Sequence, residues 1–510
     1  TCLANLAGSI FIGTSGRTII KYPMMDKPAT TLTAMVDGIN NIMIDSNGYV
    51  WICADNGLGY FKKSDEFVKI NDCEIDSYLS GMIQDYEGNY WVASDRMGVL
   101  LLSKSKFTDF NMSVGMAENI VNTVYTYRNH KYIGTDDGLI IYDAAYEKVT
   151  NELTDYLSGI SVRHIVKDDK GNLWISTGRV YGVVKVASDG TITNFGRNSG
   201  IPSIYINATL PLKDGNIAVA TEEGVAILDQ EGKILKIYGR EQEIYNNNSL
   251  CLYQDKNGML YVGTDEGGLY VIDLSDDEIV NYTSNDGLNS NVITSIDEGQ
   301  QGLWIATDNG LCFYKDSFRA ISNIEYTNNI YDIAMYEDFM WLVGSRGVLR
   351  TTEEELLGSK GISGRYYDNN DGLTKTINTT GNAYIDKDGM LFICCNDGIC
   401  TMDTKNIPYN LVAPRIKVTA ISLDGVTYEF DDLEDGLKVK SDVSRITIDF
   451  AVFSFSNRSN IQVQYSLMGF DQEPIVISGN DTMQAVYTNL DGGVYEFEVS
   501  AYNSDGTPCE

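Results

Sequence analysis

Short apolar runs alternate with polar turns that end in glycine along most of this chain. In the stretch WIATDNGLCFY, residues 304–314, one apolar run leads into a polar turn that ends at Gly310, and a second apolar run follows. Apolar runs of about five residues predict β-strands. A polar turn that ends in glycine between two such runs predicts a tight hairpin. The 3.6-residue period of a helix is absent from these stretches. The pattern predicts antiparallel sheets.

The same unit recurs ten times at intervals of roughly forty-two residues. Each copy begins with an Asp-x-x-Gly type of turn, and its first apolar run ends in a small or near-small residue. A four-stranded unit of this length predicts one blade of a β-propeller, and a small residue is expected where strands crowd the propeller axis. The ten small residues are Gly13, Cys53, Ala93, Gly134, Ser176, Ala220, Gly263, Ala306, Gly344 and Cys394.

The ten blades do not all fit a ring of ordinary size, since propellers typically hold four to eight blades. A polar stretch near residue 115 indicates a seam. We therefore expect residues 1–115 to be the last three blades of an N-terminal propeller that begins before this chain. Residues 116–406 are expected to form a seven-bladed propeller. A single ten-bladed ring is the alternative.

The repeat stops after residue 403, and a different all-β pattern follows. Residues 407–510 contain about seven strands with period-two alternation, among them 445–455 and 493–502. Seven short strands in about a hundred residues predict a small β-sandwich of immunoglobulin-like build. The predicted fold class is therefore all-β: propeller blades of four-stranded antiparallel sheets, followed by a β-sandwich.

Particular phrases give the chain a family resemblance. The blades resemble the two-component regulator propeller repeat, D-x-x-G-x-[LW]-W-I-G-T followed by G-[LI]. The C-terminal part resembles the Y_Y_Y domain that follows such propellers, through Tyr465, Gly469-Phe470-Asp471, Tyr487-Thr488-Asn489-Leu490, Tyr495 and Tyr502. The resemblance implies the sensor ectodomain of a hybrid two-component or GGDEF-type signalling protein. It also implies an extracellular or periplasmic location, and a membrane helix and an output kinase or cyclase module beyond residue 510.

Composition excludes several other classes of function. The chain has 38 Lys and Arg against 71 Asp and Glu, a net charge of −33, which disfavours binding to nucleic acid or to anionic membrane surfaces. No apolar run reaches membrane-spanning length, so membrane attachment is expected only through a segment outside this chain. The nine cysteines contain no Cys-x-x-Cys pair, and the two histidines are His130 and His164. Neither a disulfide framework nor a zinc site is predicted.

The acidic turns of the repeat are possible cation sites, because carboxylates and glycine also occur in calcium loops. Turns such as 386–389 offer two carboxylates and then enter an apolar strand, whereas a calcium loop supplies more oxygen ligands. Asp and Asn in such turns ordinarily accept hydrogen bonds from their own backbone. The sequence therefore predicts no metal, no cofactor and no catalytic residue, and His164 is expected to be a strand or loop-rim residue.

Candidate ligand contacts lie in the irregular connections, where copies of the repeat disagree. Tyr205, Asn207, Tyr245 and Asn247 are the candidates, because planar rings stack on sugars and amides bond hydroxyl groups. The leading hypothesis is a non-enzymatic sensor that binds a glycan or another small polar ligand on a propeller face. The sandwich would relay the bound state, within a homodimer formed through the C-terminal domain. A propeller glycosidase or lyase acting on polysaccharide, and a protein-binding scaffold, are the alternatives.

Overall fold

A computed structural model gives the structure of the chain. It describes residues 2–6, 8–24, 28–70, 77–242, 244, 248–322, 329–358, 364–429, 437–440 and 442–509. The chain forms two compact units: residues 105–408 make one, and residues 1–104 with residues 409–510 make the other. The predicted fold class is confirmed, because nearly all elements are strands of small antiparallel sheets.

Three sheets occupy residues 1–104, and in each the strands pair in chain order. The first two have four strands, and the third has three among the described residues. Their strands are β1 (Leu3–Leu6), β2 (Ser9–Gly13), β3 (Thr18–Pro23), β4 (Thr30–Thr33), β5 (Ile39–Ile44), β6 (Val50–Ala54), β7 (Gly57–Phe61), β8 (Phe67–Lys69), β9 (Leu79–Gln84), β10 (Tyr90–Ser94) and β11 (Gly98–Leu102).

Seven further sheets form the unit of residues 105–408, and we number them blades one to seven in chain order. The unit begins with β12 (Thr108–Asp109) and α1 (Phe110–Val114). Blades one to three contain β13 (Val121–Tyr127), β14 (His130–Thr135), β15 (Gly138–Tyr142), β16 (Lys148–Val149), α2 (Glu152–Tyr156), β17 (Val162–Lys167), β18 (Leu173–Thr177), β19 (Val183–Val186), β20 (Ile192–Phe195), β21 (Ile206–Pro211), β22 (Ile217–Thr221), β23 (Gly224–Leu228) and β24 (Ile234–Tyr238).

Blades four to seven continue the same order, with the helix α3 after the third strand of blade six. Their elements are β25 (Ser249–Gln254), β26 (Leu260–Thr264), β27 (Leu269–Ile272), β28 (Ile279–Tyr282), β29 (Ile293–Glu298), β30 (Leu303–Thr307), β31 (Gly310–Tyr314), β32 (Phe318–Ala320), β33 (Ile330–Tyr336), β34 (Phe339–Gly344), β35 (Gly347–Thr351), α3 (Glu353–Leu357), β36 (Arg365–Tyr367), β37 (Ala383–Ile385), β38 (Met390–Cys395) and β39 (Gly398–Asp403). Both strands expected in the stretch 304–314 are therefore present.

The ring closes because its first strand completes its last blade. Blade seven has the order β12-β39-β38-β37, with Thr108 opposite Thr401, and β13 of blade one packs against β37 and β38. A buried ion pair lies at this closure: Lys106 Nζ is 2.7 Å from Asp371 Oδ1, and the two side chains are 8% and 3% exposed. Residues 105–115, which the sequence analysis assigned to the preceding blades, thus contribute to this ring.

At two blades the small residue faces a crowded axis, as the sequence analysis expects. A Cβ atom on Gly134 would lie 2.6 Å from Thr123 Cγ2 of its own blade and 2.6 Å from Val162 Cγ1 of the next blade. A Cβ on Gly263 would meet Cys251 Sγ at 2.5 Å in the same way. Because such distances are far below van der Waals contact, a larger side chain would force the inner strands apart.

One copy of the repeat is offset by one residue from the sequence alignment. Asp332 pairs with Val343, just as Ser295 pairs with Ala306 in blade five. The residue equivalent to Ala306 is therefore Val343, and the assignment of Gly344 to that position was wrong. With this correction Trp341 takes the same place as the tryptophan of blade five, and the two side chains are both buried.

The C-terminal domain is a β-sandwich, as predicted, and its described residues form seven strands. One sheet has the order β41-β40-β42-β45 and the other β44-β43-β46. Apolar side chains of both sheets form one core between them, including Ile448, Val463 and Ala501. The strands are β40 (Arg415–Leu423), β41 (Val426–Glu429), β42 (Arg445–Phe453), β43 (Gln462–Met468), β44 (Ile475–Ser478), β45 (Gln484–Thr488) and β46 (Glu496–Tyr502).

The sandwich contacts the third N-terminal sheet within their common compact unit. Glu87 Oε2 accepts hydrogen bonds from Phe455 N at 3.0 Å and from Ser456 Oγ at 3.1 Å. The ring of Phe455 also meets the ring of Trp91 edge-on, with centroids 5.6 Å apart. The Tyr86 hydroxyl donates to the Phe453 carbonyl. Charged, polar and aromatic contacts thus join the sandwich to the turn and strand of one blade.

Replacing Lys106 with alanine is expected to destabilise the seven-bladed unit by about 3–5 kcal/mol, because it removes one partner of a buried ion pair. Urea unfolding followed by tryptophan fluorescence measures the loss. Lys236→Ala is the matched control, since Lys236 Nζ lies 2.6 Å from Asp277 Oδ2 but both side chains are more than 40% exposed. That variant should lose less than about 1 kcal/mol. Equal losses in the two variants would contradict the closing role of the buried pair.

Candidate ligand-binding face of the seven-bladed ring

The seven inner strands β13, β17, β21, β25, β29, β33 and β37 all begin at one end of the ring, which we call the start face. This end also carries the connections between successive blades and the hairpins that join the second and third strands of each blade. Connections of this kind tolerate sequence change while the strands beneath hold them in place. The start face is therefore where departures from the repeat can alter binding without altering the blades.

Most hairpins of this face have a structural hydrogen-bond pattern. In five blades the threonine before the hairpin donates its hydroxyl to the carbonyl of the closing glycine, over 2.7–3.0 Å. In the stretch 304–314 this donor is Thr307, and Gly310 has the positive φ of 105° that glycine tolerates. The polar turn of residues 307–310 is thus a hairpin closed by threonine and glycine.

The Asp-x-x-Gly turns at the opposite end are also structural. Asp168 Oδ1 accepts from the Asn172 backbone N–H at 2.8 Å, and Asp168 Oδ2 accepts from the Trp174 indole at 2.9 Å. Asp386 Oδ1 accepts from two backbone N–H groups of its own turn, and its Oδ2 pairs with Lys131. These carboxylates hold turns and neighbouring side chains, as the interpretation of the turns predicted.

A ring of polar side chains ties neighbouring blades together at the start face. The inner strands of blades one to six each contain a β-bulge after their first residue. In four of the seven blades the side chain at this level donates to the first inner-strand carbonyl of the next blade, over 2.7–3.1 Å. The four donor–acceptor pairs are Asn122–Val162, Asn207–Ser249, Thr294–Ile330 and Asn378–Val121.

Two of the predicted contact residues have defined positions here. Asn207 uses both amide hydrogens within the protein, because its Nδ2 also donates to Asn248 Oδ1 at 3.1 Å. Within the described part of the chain its amide oxygen has no hydrogen-bond partner, and its contact with a ligand stays a prediction. Tyr205 is half-buried and pairs with Gly178 of blade two through an isolated β-bridge. The candidates Tyr245 and Asn247 lie outside the described residues.

Tyr205 is the centre of a cationic cluster that the sequence analysis did not foresee. The Arg163 Cζ lies 5.3 Å from the centre of the Tyr205 ring, and the Arg179 Cζ lies 5.8 Å from it. Distances of this size are typical of cation–π contacts. We call these three residues the Arg163–Tyr205–Arg179 cluster.

Blade two departs from its neighbours at both positions that carry these arginines. In blade one the bulge residue Asn122 donates to Asp136 Oδ1 of its own hairpin at 2.9 Å. In blade two the bulge residue is Arg163, and Gly178 stands at the hairpin position of the aspartate. Arg179 follows directly. The carboxylate of the repeat is therefore replaced by positive charge in this blade.

The hairpin that presents Arg179 is also unusual in its backbone. It runs from Thr177 to Gly182 and is two residues longer than the hairpin of blade one. Arg179 is exposed and has a φ of +80°, a left-handed conformation that side chains rarely adopt. The next residues place Tyr181 in a parallel stack with Tyr156, with centroids 4.6 Å apart and planes 17° apart. An arginine held at such a backbone position is a candidate for function.

The ring axis contains titratable side chains, of which sequence reasoning considered one. His164 lies in β17, as expected, and burial lowers its pKa to about 4, so that the ring is neutral. Asp332 occupies the equivalent place in blade six, and burial raises its pKa to about 6. Its carboxylate accepts hydrogen bonds from Ser295 Oγ at 2.7 Å and from Ala383 N at 2.7 Å, which links blades five, six and seven.

Two family models match parts of the chain. The model described as two component regulator propeller matches residues 156–179 and 246–266, and the Y_Y_Y domain model matches residues 454–508. The first of these matches contains Arg163 and Arg179. Both matches confirm the resemblance noted in the sequence. No curated protein matches the sequence.

Two solved structures with the same fold are extracellular domains of B. thetaiotaomicron proteins. The extracellular domain of BT3049 from B. thetaiotaomicron, assigned to a hybrid two component system, has a TM-score of 0.62 at 18% identity, and the match covers 99% of this chain and 75% of that chain. The extracellular domain of BT4673 from the same organism, assigned to a one component system, has a TM-score of 0.51 at 17% identity, covering 99% and 72%. At these identities the likeness supports the fold alone.

The structure also bears on membrane insertion of the chain itself. No helix among the described residues is long and apolar enough to cross a membrane.

Replacing Asp297 with asparagine is expected to stabilise the unit at pH 7.5 by up to about 2 kcal/mol, and to have little effect near pH 4. Burial raises the pKa of Asp297 to about 6, above the value of about 4 in an unfolded chain. Below about pH 4 the Asp297 carboxyl group is neutral and does not lower the stability of the folded unit. As pH rises through 6 the buried group becomes charged, and this part of the stability is lost. Thermal unfolding at the two pH values measures the difference.

Asp316→Asn is the control, because Asp316 lies exposed in a turn and the variant changes the net charge equally. The two variants should differ at pH 7.5 and converge at pH 4. A gain in Asp297→Asn that is the same at both pH values would contradict the effect of burial.

Proposed function

We propose that this chain, which carries two-component regulator propeller repeats and a Y_Y_Y domain, is the extracytoplasmic ligand-sensing region of a membrane-anchored bacterial signal-transduction receptor. In this proposal a glycan or another small polar ligand binds on the start face of the seven-bladed ring. The sandwich relays the bound state, within a homodimer formed through the C-terminal domain, to a membrane segment and an output module outside this chain.

The observation that carries the proposal is the Arg163–Tyr205–Arg179 cluster. A half-buried aromatic ring flanked by two guanidinium groups offers a sugar both a planar apolar face and several fixed hydrogen-bond donors. The cluster lies in blade two, the one blade in which the residue at the bulge is charged. The hairpin of this blade also has Gly178 and Arg179 where blade one has two aspartates. A binding residue is expected at such a departure, because residues that repeat in every blade serve the blade itself.

The last step of the proposed relay is supported by the contacts of the sandwich with the neighbouring blade of its own unit, the third N-terminal sheet. The carboxylate of Glu87 accepts two hydrogen bonds from the chain just after β42, and aromatic rings pack at the same place. Hydrogen bonds to a charged group and ring contacts together favour one fixed arrangement of blade and sandwich. A fixed arrangement of this kind would let a displacement of the blade reach the sandwich.

The alternative of a propeller glycosidase would need a pair of carboxyl groups free to act on a substrate. Among the described residues, Asp297 and Asp332 are the carboxyl groups near the ring axis whose pKa is raised by burial. Asp332 accepts three hydrogen bonds from the protein, so its oxygens are engaged in holding blades together. Solved structures of the same fold include extracellular domains assigned to two component systems, and this favours the receptor hypothesis over the enzyme.

The test of the proposal is a binding screen of the intact chain against neutral and charged oligosaccharides by thermal shift, with titration calorimetry for each hit. Tyr205→Ala is expected to weaken binding of a hit at least tenfold, because stacking on the ring is lost. Tyr428→Ala, on the exposed edge strand β41 of the sandwich, is the control and should bind normally.

Chromatography of the same mixtures separates the remaining hypotheses. A saturable shift with the saccharide recovered intact supports the sensor, whereas released product supports the enzyme. Binding that Tyr205→Ala leaves unchanged would place the ligand elsewhere and contradict the assignment of the start face. A panel without any saturable binding would contradict the glycan-sensing proposal.

A further inference from the structure

We infer that the Arg163–Tyr205–Arg179 cluster is a binding site for an anionic saccharide, one that carries a carboxylate or a sulfate group. The inference rests on the proposed function and narrows its ligand from polar molecules in general to acidic sugars. It depends on the charge and the geometry of the cluster, which are considered in turn.

The first argument is the reversal of charge at equivalent positions of the repeat. In five of the other six blades of the ring the start-face hairpin carries a carboxylate, and in blade one Asn122 donates to Asp136 at 2.9 Å. The hairpin of blade six, residues 344–347, carries none. Blade two has arginine at the asparagine position and glycine at the aspartate position. A carboxylate of the ligand would occupy the place that the hairpin aspartate has in blade one.

The second argument is that the two cations lack a protein counter-ion. Within the described part of the chain, neither Arg163 nor Arg179 has a carboxylate within ion-pair distance. This is unexpected in a chain with 71 acidic residues against 38 basic ones. Two like charges that share one aromatic ring repel each other, and an anion bound between them removes that repulsion.

The third argument is the size of the cluster. Because both Cζ atoms lie within 6 Å of the same ring centre, they are at most about 11 Å apart. A ligand that contacts both guanidinium groups therefore needs to be no longer than about two sugar rings. The planar guanidinium forms paired hydrogen bonds with the two oxygens of a carboxylate or sulfate, which neutral hydroxyl groups cannot match in strength. The Tyr205 ring then supplies the face on which a sugar ring can stack.

The surroundings of the cluster favour a small acidic ligand over a long polyanion. Neighbouring start-face hairpins carry Asp136 and Asp137 on one side and Glu222 and Glu223 on the other. A nucleic acid strand or an anionic membrane surface would have to pass over these carboxylates, which repel it. A mono- or disaccharide can contact the arginines without covering the adjacent blades.

The test compares three disaccharides on the intact chain by titration calorimetry. They are a galacturonic acid disaccharide, a sulfated galactose disaccharide and the neutral galactose disaccharide of the same linkage. The acidic disaccharide that binds should do so at least tenfold more tightly than the neutral one. Its affinity should fall as salt rises from 50 to 500 mM, because the charges become screened. The carboxylate and sulfate arms show which anion the site takes.

Variants then assign the effect to the two arginines. Arg163→Gln and Arg179→Gln should each weaken acidic-sugar binding roughly tenfold and leave neutral-sugar binding almost unchanged. Arg128→Gln is the matched control: the Arg128 Cζ lies 4.9 Å from the Tyr127 ring centre, in a hairpin at the opposite end of the ring. It should bind as the natural chain does. Thermal unfolding of each variant checks that it is folded.

The outcomes distinguish this inference from the proposed function. Equal binding of acidic and neutral disaccharides that Tyr205→Ala abolishes would overturn the inference and leave the sensor proposal standing. An equal loss of acidic-sugar binding in Arg128→Gln and in Arg163→Gln would also overturn the inference. A general effect of positive charge would then account for the binding. Absence of binding by both acidic disaccharides would overturn it directly.

Discussion

The close contact between each blade and the next at the ring axis is the constraint on which the rest of the seven-bladed unit depends. At Gly134 and Gly263 a single added carbon would overlap with the inner strand of the same blade and with the first residue of the following blade. Above this contact, asparagine and threonine side chains bond to the next blade's backbone. With the axis so constrained, variation is concentrated in the hairpins and connections of the start face.

Short-range patterns revealed much of this fold, because a blade is built from neighbouring segments. The strands Leu303–Thr307 and Gly310–Tyr314 follow from alternation and a glycine turn within eleven residues. The outer strand Thr108–Asp109 has only two residues and pairs with a distant segment, so it carries no local signal. The register of blade six is hard to predict from sequence for a related reason. Val343 is larger than the residues at the same position in other blades, and Gly344 after it fits the expected small residue better.

The binding cluster was only partly visible in the sequence. Tyr205 attracted attention because it lies in an irregular connection. Arg163 did not, since an arginine near the start of a strand is usually just solvated. A comparison of equivalent positions in successive copies of the repeat could have found it. Blades one and three have Asn122 and Asn207 at the position where blade two has Arg163. Proximity of this arginine to Arg179 depends on the bulge and the lengthened hairpin, which only the structure provides.

The strand that closes the ring has a consequence for how the chain folds during synthesis. Thr108 meets Thr401, 293 residues later, so the last blade cannot be completed until nearly the whole unit has been made. At ordinary rates of translation this takes roughly 15 to 60 seconds. During that interval the edge of the first blade stands open, and its inner strands lack their final neighbour. Folding of this unit is therefore expected to be slow and to depend on protection of the growing chain until the ring closes.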